Sequence, residues 1–181
     1  MAVKTFTTGE VLTTSDTNTY LNNGGLVYVY SETIGSGVGS FTPAQNVFSS
    51  TYDNYRIIIA GGTCSAGGVS SRITFGSTAT GYYGNQPYWT TAGSNGFNSQ
   101  ANAAFLYCGS QDTTNFSLTC DVTGPFTATW TQISGFSYGA NASTIHMGAL
   151  QNTTSYTKFT LTAGSGTFTG GTVTVYGYRK A

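Results

Sequence analysis

Ser50-Thr51-Tyr52-Asp53-Asn54-Tyr55-Arg56-Ile57-Ile58-Ile59-Ala60-Gly61-Gly62 contains the most apolar strand candidate in the chain. Alternate side chains of a strand point to opposite faces, so Tyr55, Ile57 and Ile59 share one face and Arg56 and Ile58 the other. Apolar groups on both faces predict a central strand, or one whose second face is covered by another subunit. The Asp53-Asn54 pair before it is a turn signal, because such side chains hydrogen-bond their own backbone. Tyr52 and Tyr55 flank that mouth and are expected to lay their rings on apolar neighbours with their hydroxyls toward water. The mouth therefore reads as a corner of the fold, not a site.

Outward from this stretch the chain keeps a period of two. Gly, Pro, Asn or Ser breaks it every 8 to 15 residues or so, the rhythm of an antiparallel sandwich or barrel. Strands are predicted over 26–31, 55–60, 70–75, 103–109, 115–122, 127–136, 144–150, 158–163 and 172–178. In the last, Val173 and Val175 face inward, while Thr172, Thr174, Tyr176 and Tyr178 form a second, ring-rich face. Thr fills many outward positions, where its branched side chain favours the strand and its hydroxyl meets water. No repeat of fixed period is present, which disfavours propellers and β-helices.

Residues 1–25 differ from the rest. Glu10, Val11 and Leu12 are followed by Ser15-Asp16, a helix N-cap signal, then by Tyr20 and Leu21, and Asn22-Asn23-Gly24-Gly25 ends the element. One or two short helical turns are expected, too short to be stable unless their apolar side packs on something. The predicted organisation is a leader over 1–25 and an all-β domain over 26–181.

Length and composition bound the function. The 181 residues suit one domain. An aromatic share of 14% supplies core area that a hydrophobic share of 39% alone would leave short. Charged residues total only 7%, against roughly a quarter in average chains, and six basic residues cancel six acidic ones. The six basic residues are scattered from Lys4 to Lys180, so no stripe suits nucleic acid. A neutral surface of Thr, Ser, Asn, Gln and Gly resists association weakly and suits a chain living in an assembly or in extracellular fluid. Polar residues after Lys4 give no secretory signal pattern, and no run approaches the roughly 20 apolar residues of a membrane span.

Catalytic patterns are sparse. There is no GxSxG elbow, P-loop or HExxH motif. His146 is the only histidine and has no evident carboxylate partner, so it reads as structural or exposed. Of the carboxylates, Asp112 and Asp121 flank one strand candidate and are the pair to examine for glycoside hydrolysis. Cys64, Cys108 and Cys120 read as small buried thiols, with a Cys108–Cys120 bridge as the alternative. With neither a CxxC pair nor a His cluster, neither a metal nor a cofactor is expected.

The loops 61–69, 76–102 and 137–143 collect Gly, Asn and Ser. The longest holds Tyr82, Tyr83, Tyr88, Trp89 and Phe97, and part of it, 82–90, is readable as a further strand. These rings and Tyr138 lie among Asn85, Gln86, Asn95, Asn98 and Asn141. Rings beside amides suit either a subunit interface or sugar recognition, in which the ring covers the apolar sugar face.

Three segments carry a resemblance. Lys4, Phe6, Gly9, Glu10, Val11, Leu12, Ser15, Asp16, Asn18, Tyr20 and Leu21 match a leader, K-x-F-x-x-G-E-V-L-x-x-S-D-x-N-x-Y-L, found in many tailed-bacteriophage virion proteins. FSSTYDNYRIII at 48–59 resembles a recurring piece of small β-structured tail-fibre and appendage proteins, and VTVYGYRKA is similar to their terminal strand. The resemblance implies a virion structural protein on the particle exterior, a homotrimer with a jelly-roll β-sandwich. Its leader (Phe6, Glu10, Val11, Leu12, Tyr20, Leu21) would attach to tail or capsid partners or pack the trimer. Tail fibre or spike and head decoration are the roles to separate. A stand-alone carbohydrate-binding module and an envelope-degrading enzyme are the competing classes.

Overall fold

Thirteen strands run through the described residues of the computed structural model, which are 7–11, 13 and 25–180. They are β1 (Leu26–Thr33), β2 (Ser36–Val38), β3 (Ser40–Phe41), β4 (Asn54–Cys64), β5 (Ser70–Phe75), β6 (Tyr82–Thr90), β7 (Asn95–Ala103), β8 (Leu106–Ser110), β9 (Phe116–Thr123), β10 (Thr131–Tyr138), β11 (Ala142–Leu150), β12 (Phe159–Thr162) and β13 (Phe168–Tyr178). A nine-stranded sheet runs β1-β13-β4-β9-β10-β11-β6-β7, with β2 beside β13, and a four-stranded sheet runs β3-β12-β5-β8. Every pairing is antiparallel. The described residues are therefore all-β. No helix among the described residues is long and apolar enough to cross a membrane.

The Ile-rich stretch lies where its two apolar faces require. β4 is flanked by β13 and β9, with Ile57 opposite Val175 on one side and Cys120 on the other. Tyr55, Ile57, Ile59, Val173 and Val175 are buried. The core they join spans both sheets, with Phe41, Ile73, Phe75, Leu106, Phe159 and Leu161 from the smaller one. Rings dominate it. Phe48 sits 4.8 Å from Tyr55, 6.0 Å from Phe159 and 6.3 Å from Phe75, centroid to centroid, and Phe116 stacks on Phe168 at 5.2 Å.

The mouth of β4 is a corner, but one expectation about it fails. The Tyr55 hydroxyl points into the protein, accepting from Ser49 N at 2.8 Å and donating to Ser49 O at 2.9 Å. The 49–54 turn folds its backbone over the ring, so that backbone takes the hydrogen bonds water would have made. Asp53 is paired with Lys180 at 2.7 Å, and its carbonyl accepts from Gly124 N at 2.9 Å. Tyr52 packs flat on Gly177, where a Cβ would stand 2.3 Å from the ring.

The loop over 76–102 is corrected to a hairpin of β6 and β7, paired from Trp89–Asn95 to Tyr82–Ala103. In the leader, a turn joins Thr7 and Glu10, whose backbones bond at 3.0 Å, and the Glu10 carboxylate accepts from Thr7 N at 3.1 Å. Val11 is exposed. The helical turns expected over 15–21, with Tyr20 and Leu21, and also Phe6 and Leu12, lie outside the described residues.

Candidate functional site

The side-chain alternation of β10, β11, β6 and β7 sorts their residues between the core and the outer face of the large sheet. Outward come Phe136 and Tyr138 from β10, Ile145 and Met147 from β11, Tyr83 and Trp89 from β6, and Phe97 from β7, all exposed. Phe97 is 72% exposed, and Phe136 and Tyr138 are each 61% exposed. The register sets several of them side by side: Ile145 lies opposite Phe136, and Trp89 opposite Ser143, which faces Tyr138. Pro87 opposite Phe97 continues the row. Between the rings stand Asn85, Asn95, Ser99, Gln132, Ser134 and Ser143. No outward residue of these four strands is charged.

The other half of the same face differs. There Arg56 donates from Nε and Nη2 to the two Asp121 oxygens at 2.8 and 2.7 Å, and the Tyr178 hydroxyl donates to Asp121 Oδ1 at 2.7 Å. The guanidinium hydrogen bonds hold the Asp121 carboxyl below the usual carboxylate range, against desolvation that pushes it up. Desolvation, then the bond to Asp121, pushes Tyr178 up to about 12.

A cleft of about 540 Å³ opens at the side of this same half-sheet, between it and the smaller sheet. Its wall includes Ser70 and Arg72 of β5, Tyr107 of β8, Tyr88 of β6, Asn98 of β7, Thr144 of β11 and the loop residue Asn141. The Arg72 guanidinium lies 4.4 Å from the centre of the Phe105 ring, and its buried Nε has no hydrogen-bond partner in the protein. Two rings, two amides and one cation thus line a concave site.

The predicted ring set is divided three ways. Tyr83, Trp89, Phe97 and Tyr138 lie on the flat outer face, and Tyr88 lines the cleft. Tyr82 belongs to neither. It is fully buried, and its hydroxyl accepts from Phe75 N at 2.8 Å, so it is a core residue and not an available contact. Burial pushes its hydroxyl up to about 12. Tyr107 and Arg72 were missed by sequence reading. Both sit in strand runs whose alternation resembles ordinary core patterning, and only the offset of the two sheets exposes them to the cleft.

The two carboxylates considered for hydrolysis do not converge. Asp121 pairs with Arg56, while the Asp112 carbonyl accepts from Cys64 N at 2.8 Å. Arg56 and Cys64 are eight residues apart on β4, roughly 25 Å at about 3.3 Å per residue. A glycosidase pair stands about 5–10 Å apart. Asp112 is 1% exposed and accepts from Thr114 N and Oγ1 at 2.8 and 2.7 Å and from Asn141 N and Nδ2 at 2.9 and 2.8 Å. It is a loop staple beneath the cleft wall. His146 is fully buried, facing inward from β11.

Comparison with protein-family models, with curated proteins and with solved structures finds no match to this chain.

Proposed function

We propose that this protein is a non-enzymatic structural component of a bacteriophage particle, carried on its exterior as a homotrimer, most plainly as a tail-fibre or spike subunit that contacts the host surface. Head decoration is the alternative role within the same reading. The observation that carries it is the uncharged, ring-bearing half of the outer sheet face. Four strands at about 4.8 Å spacing make this a patch on the order of 300 Å² in projection, the size at which an exposed apolar patch on a single chain is commonly functional. A face of aromatic, Met and aliphatic side chains interspersed with Asn, Gln and Ser, and without charge, shares with a subunit interface core its rings and its depletion of charge. In a ring of three copies this patch packs on a different surface of the neighbouring copy, and closure of the ring covers it on every copy.

The strand order supports the finer fold reading. Taken in chain order, β1, β3, β4, β5, β8, β9, β12 and β13 divide into β1-β13-β4-β9 and β3-β12-β5-β8. We read this interleaving as the double Greek key of a jelly-roll sandwich, an architecture used by viral capsid and lectin domains. On that reading β6–β7 and β10–β11 are two insertions that extend one sheet, and they bring the apolar half-face with them. The resemblance of Lys4–Leu21, 48–59 and 173–181 to phage virion proteins, noted from the sequence alone, is what suggests the particle assignment.

Size-exclusion chromatography with multi-angle light scattering at micromolar concentration tests the assembly, with a trimer of the 18.9 kDa chain expected. Phe136→Asp with Ile145→Asp is expected to give a folded monomer, since both side chains are exposed. A stable wild-type monomer that does not co-sediment with phage particles would overturn the proposal.

The cleft favours a second reading, a carbohydrate-binding surface, either within the fibre role or as a free module. Concave sites with rings and a few directed polar groups suit a sugar. Glycan-array binding that persists after deletion of residues 1–25 and disappears in Tyr107→Ala would favour the free module; deletion of 1–25 abolishes particle attachment if the virion reading holds.

A further inference from the structure

The interior holds a cluster that neither the outer face nor the cleft uses. Cys120 on β9, Gly135 on β10 and His146 on β11 lie in one row of the large sheet, since Gly135 is paired with both. Cys108 reaches the same point from β8 of the opposing sheet. The two Sγ atoms and a ring nitrogen of His146 lie within 4.8 Å of one another, and all three residues are fully buried. The Cys108 Sγ to His146 Nε2 distance is 4.0 Å, and His146 Nδ1 has no hydrogen-bond partner. Gly135 makes the room. A Cβ there would stand 2.7 Å from His146 Nε2 and 2.9 Å from Cys120 Cα.

We propose that Cys108, Cys120 and His146 form a structural site for one soft d10 metal ion, Zn²⁺ or Cu⁺, that staples the two sheets together. Metal–sulfur bonds of about 2.3 Å and metal–nitrogen bonds of about 2.0 Å set donor atoms roughly 3.5–4 Å apart, so the three donors need to close by less than about an ångström. Thiolate and imidazole together select soft ions. Binding of Zn²⁺ converts two thiols to thiolates and releases two protons. Two thiolates, a neutral imidazole and a divalent ion sum to zero charge, which suits an apolar interior. Cu⁺ reaches the same balance if one thiol keeps its proton. These residues supply three donors and Zn²⁺ takes four, so a water enclosed with the ion would complete its set; all three residues are buried, so loading accompanies folding.

Metal content of full-length protein, purified under reducing conditions from cells grown with zinc or with copper, is read by elemental mass spectrometry. One ion per chain is expected, zinc and copper being separated by the two growth arms. Refolding without and with Zn²⁺ is expected to raise Tm by at least about 5 °C in the loaded protein. Cys108→Ala and His146→Gln are expected to lose the ion. If either fails to fold, the wild-type refolding pair still decides. Less than a tenth of an ion per chain in both arms with no Tm response, or a Cys108–Cys120 disulfide in protein isolated without reductant with free thiols alkylated at lysis, would overturn the proposal.

Discussion

Asp112→Asn probes how the cleft wall is held. Asp112 Oδ1 takes both Thr114 donors and Oδ2 takes both Asn141 donors. An amide keeps the shape but sets an NH₂ where one oxygen stood, facing two donors. Two hydrogen bonds to a charged acceptor are lost, at about 1.5–3 kcal/mol each, and the other two become neutral, so the loss is about 3–6 kcal/mol at pH 7. For a chain of this size that is a fall in Tm of roughly 10 °C or more. Burial pushes the Asp112 carboxyl up, but the bonds from Thr114 and Asn141 outweigh it and hold it below its usual value. A depressed folded pKa means the contribution is present above the unfolded value near ~3.9 and is lost as pH falls through the folded value. Urea denaturation of both proteins at pH 7, and at steps below about pH 4, should therefore show a gap that closes with acid. A gap under about 0.5 kcal/mol at pH 7, or one that acid leaves unchanged, would refute the reasoning.

Two further outcomes follow from packing. Tyr82→Phe leaves Phe75 N without its acceptor and should cost about 1–3 kcal/mol, whereas Trp89→Ala on the same strand should change monomer stability by less than about 0.5 kcal/mol; urea melts of the two variants check the contrast. Gly177→Ala drives a methyl group into the Tyr52 ring and should cost about 1–3 kcal/mol, and combining it with Tyr52→Ala should cost clearly less than the sum of the single changes, measured as a double-mutant cycle.

Nine of the strands were readable because their cores alternate with β-branched or aromatic residues. Ser70–Phe75 shows the pattern in full, with Ser71, Ile73 and Phe75 buried and the intervening residues half-buried. β7 was unreadable for a physical reason. Asn95-Gly96-Phe97-Asn98-Ser99-Gln100 has polar groups on both faces, because its inward amides take over hydrogen bonds that a hydrophobic strand leaves to backbone. Asn98 Nδ2 donates to Gln86 Oε1 at 3.1 Å, and Gln100 accepts from Tyr107 N at 2.9 Å. β2 and β3, of three and two residues, are too short to carry any period. The Cys108–Cys120–His146 cluster was invisible for another reason: no local spacing unites it, and only the register of β9, β10 and β11 beneath β8 does.

The run Tyr82-Tyr83-Gly84-Asn85-Gln86-Pro87-Tyr88-Trp89 shows why composition alone could not say where each ring would lie. One strand sends Tyr82 to the core, Tyr83 and Trp89 to the flat face, and Tyr88 to the cleft. Period-two alternation settles face against interior, and the offset of the smaller sheet then splits the interior positions between core and cleft. A one-residue slip would exchange the sets. Gly84 and Gly148 oppose that slip, because a Cβ on either would stand 2.9 or 2.5 Å from Leu106 Cδ2. Leu106 therefore reads the backbone of both strands at the point where they pair. The same lock that buries Tyr82 keeps Tyr83 and Trp89 on the outer face and Tyr88 in the cleft. A flat apolar face and a concave polar cleft do different work, the first suiting a second copy of the chain and the second a small ligand. Because one register fixes both, a change that loosens Leu106 should disturb the outer face and the cleft together.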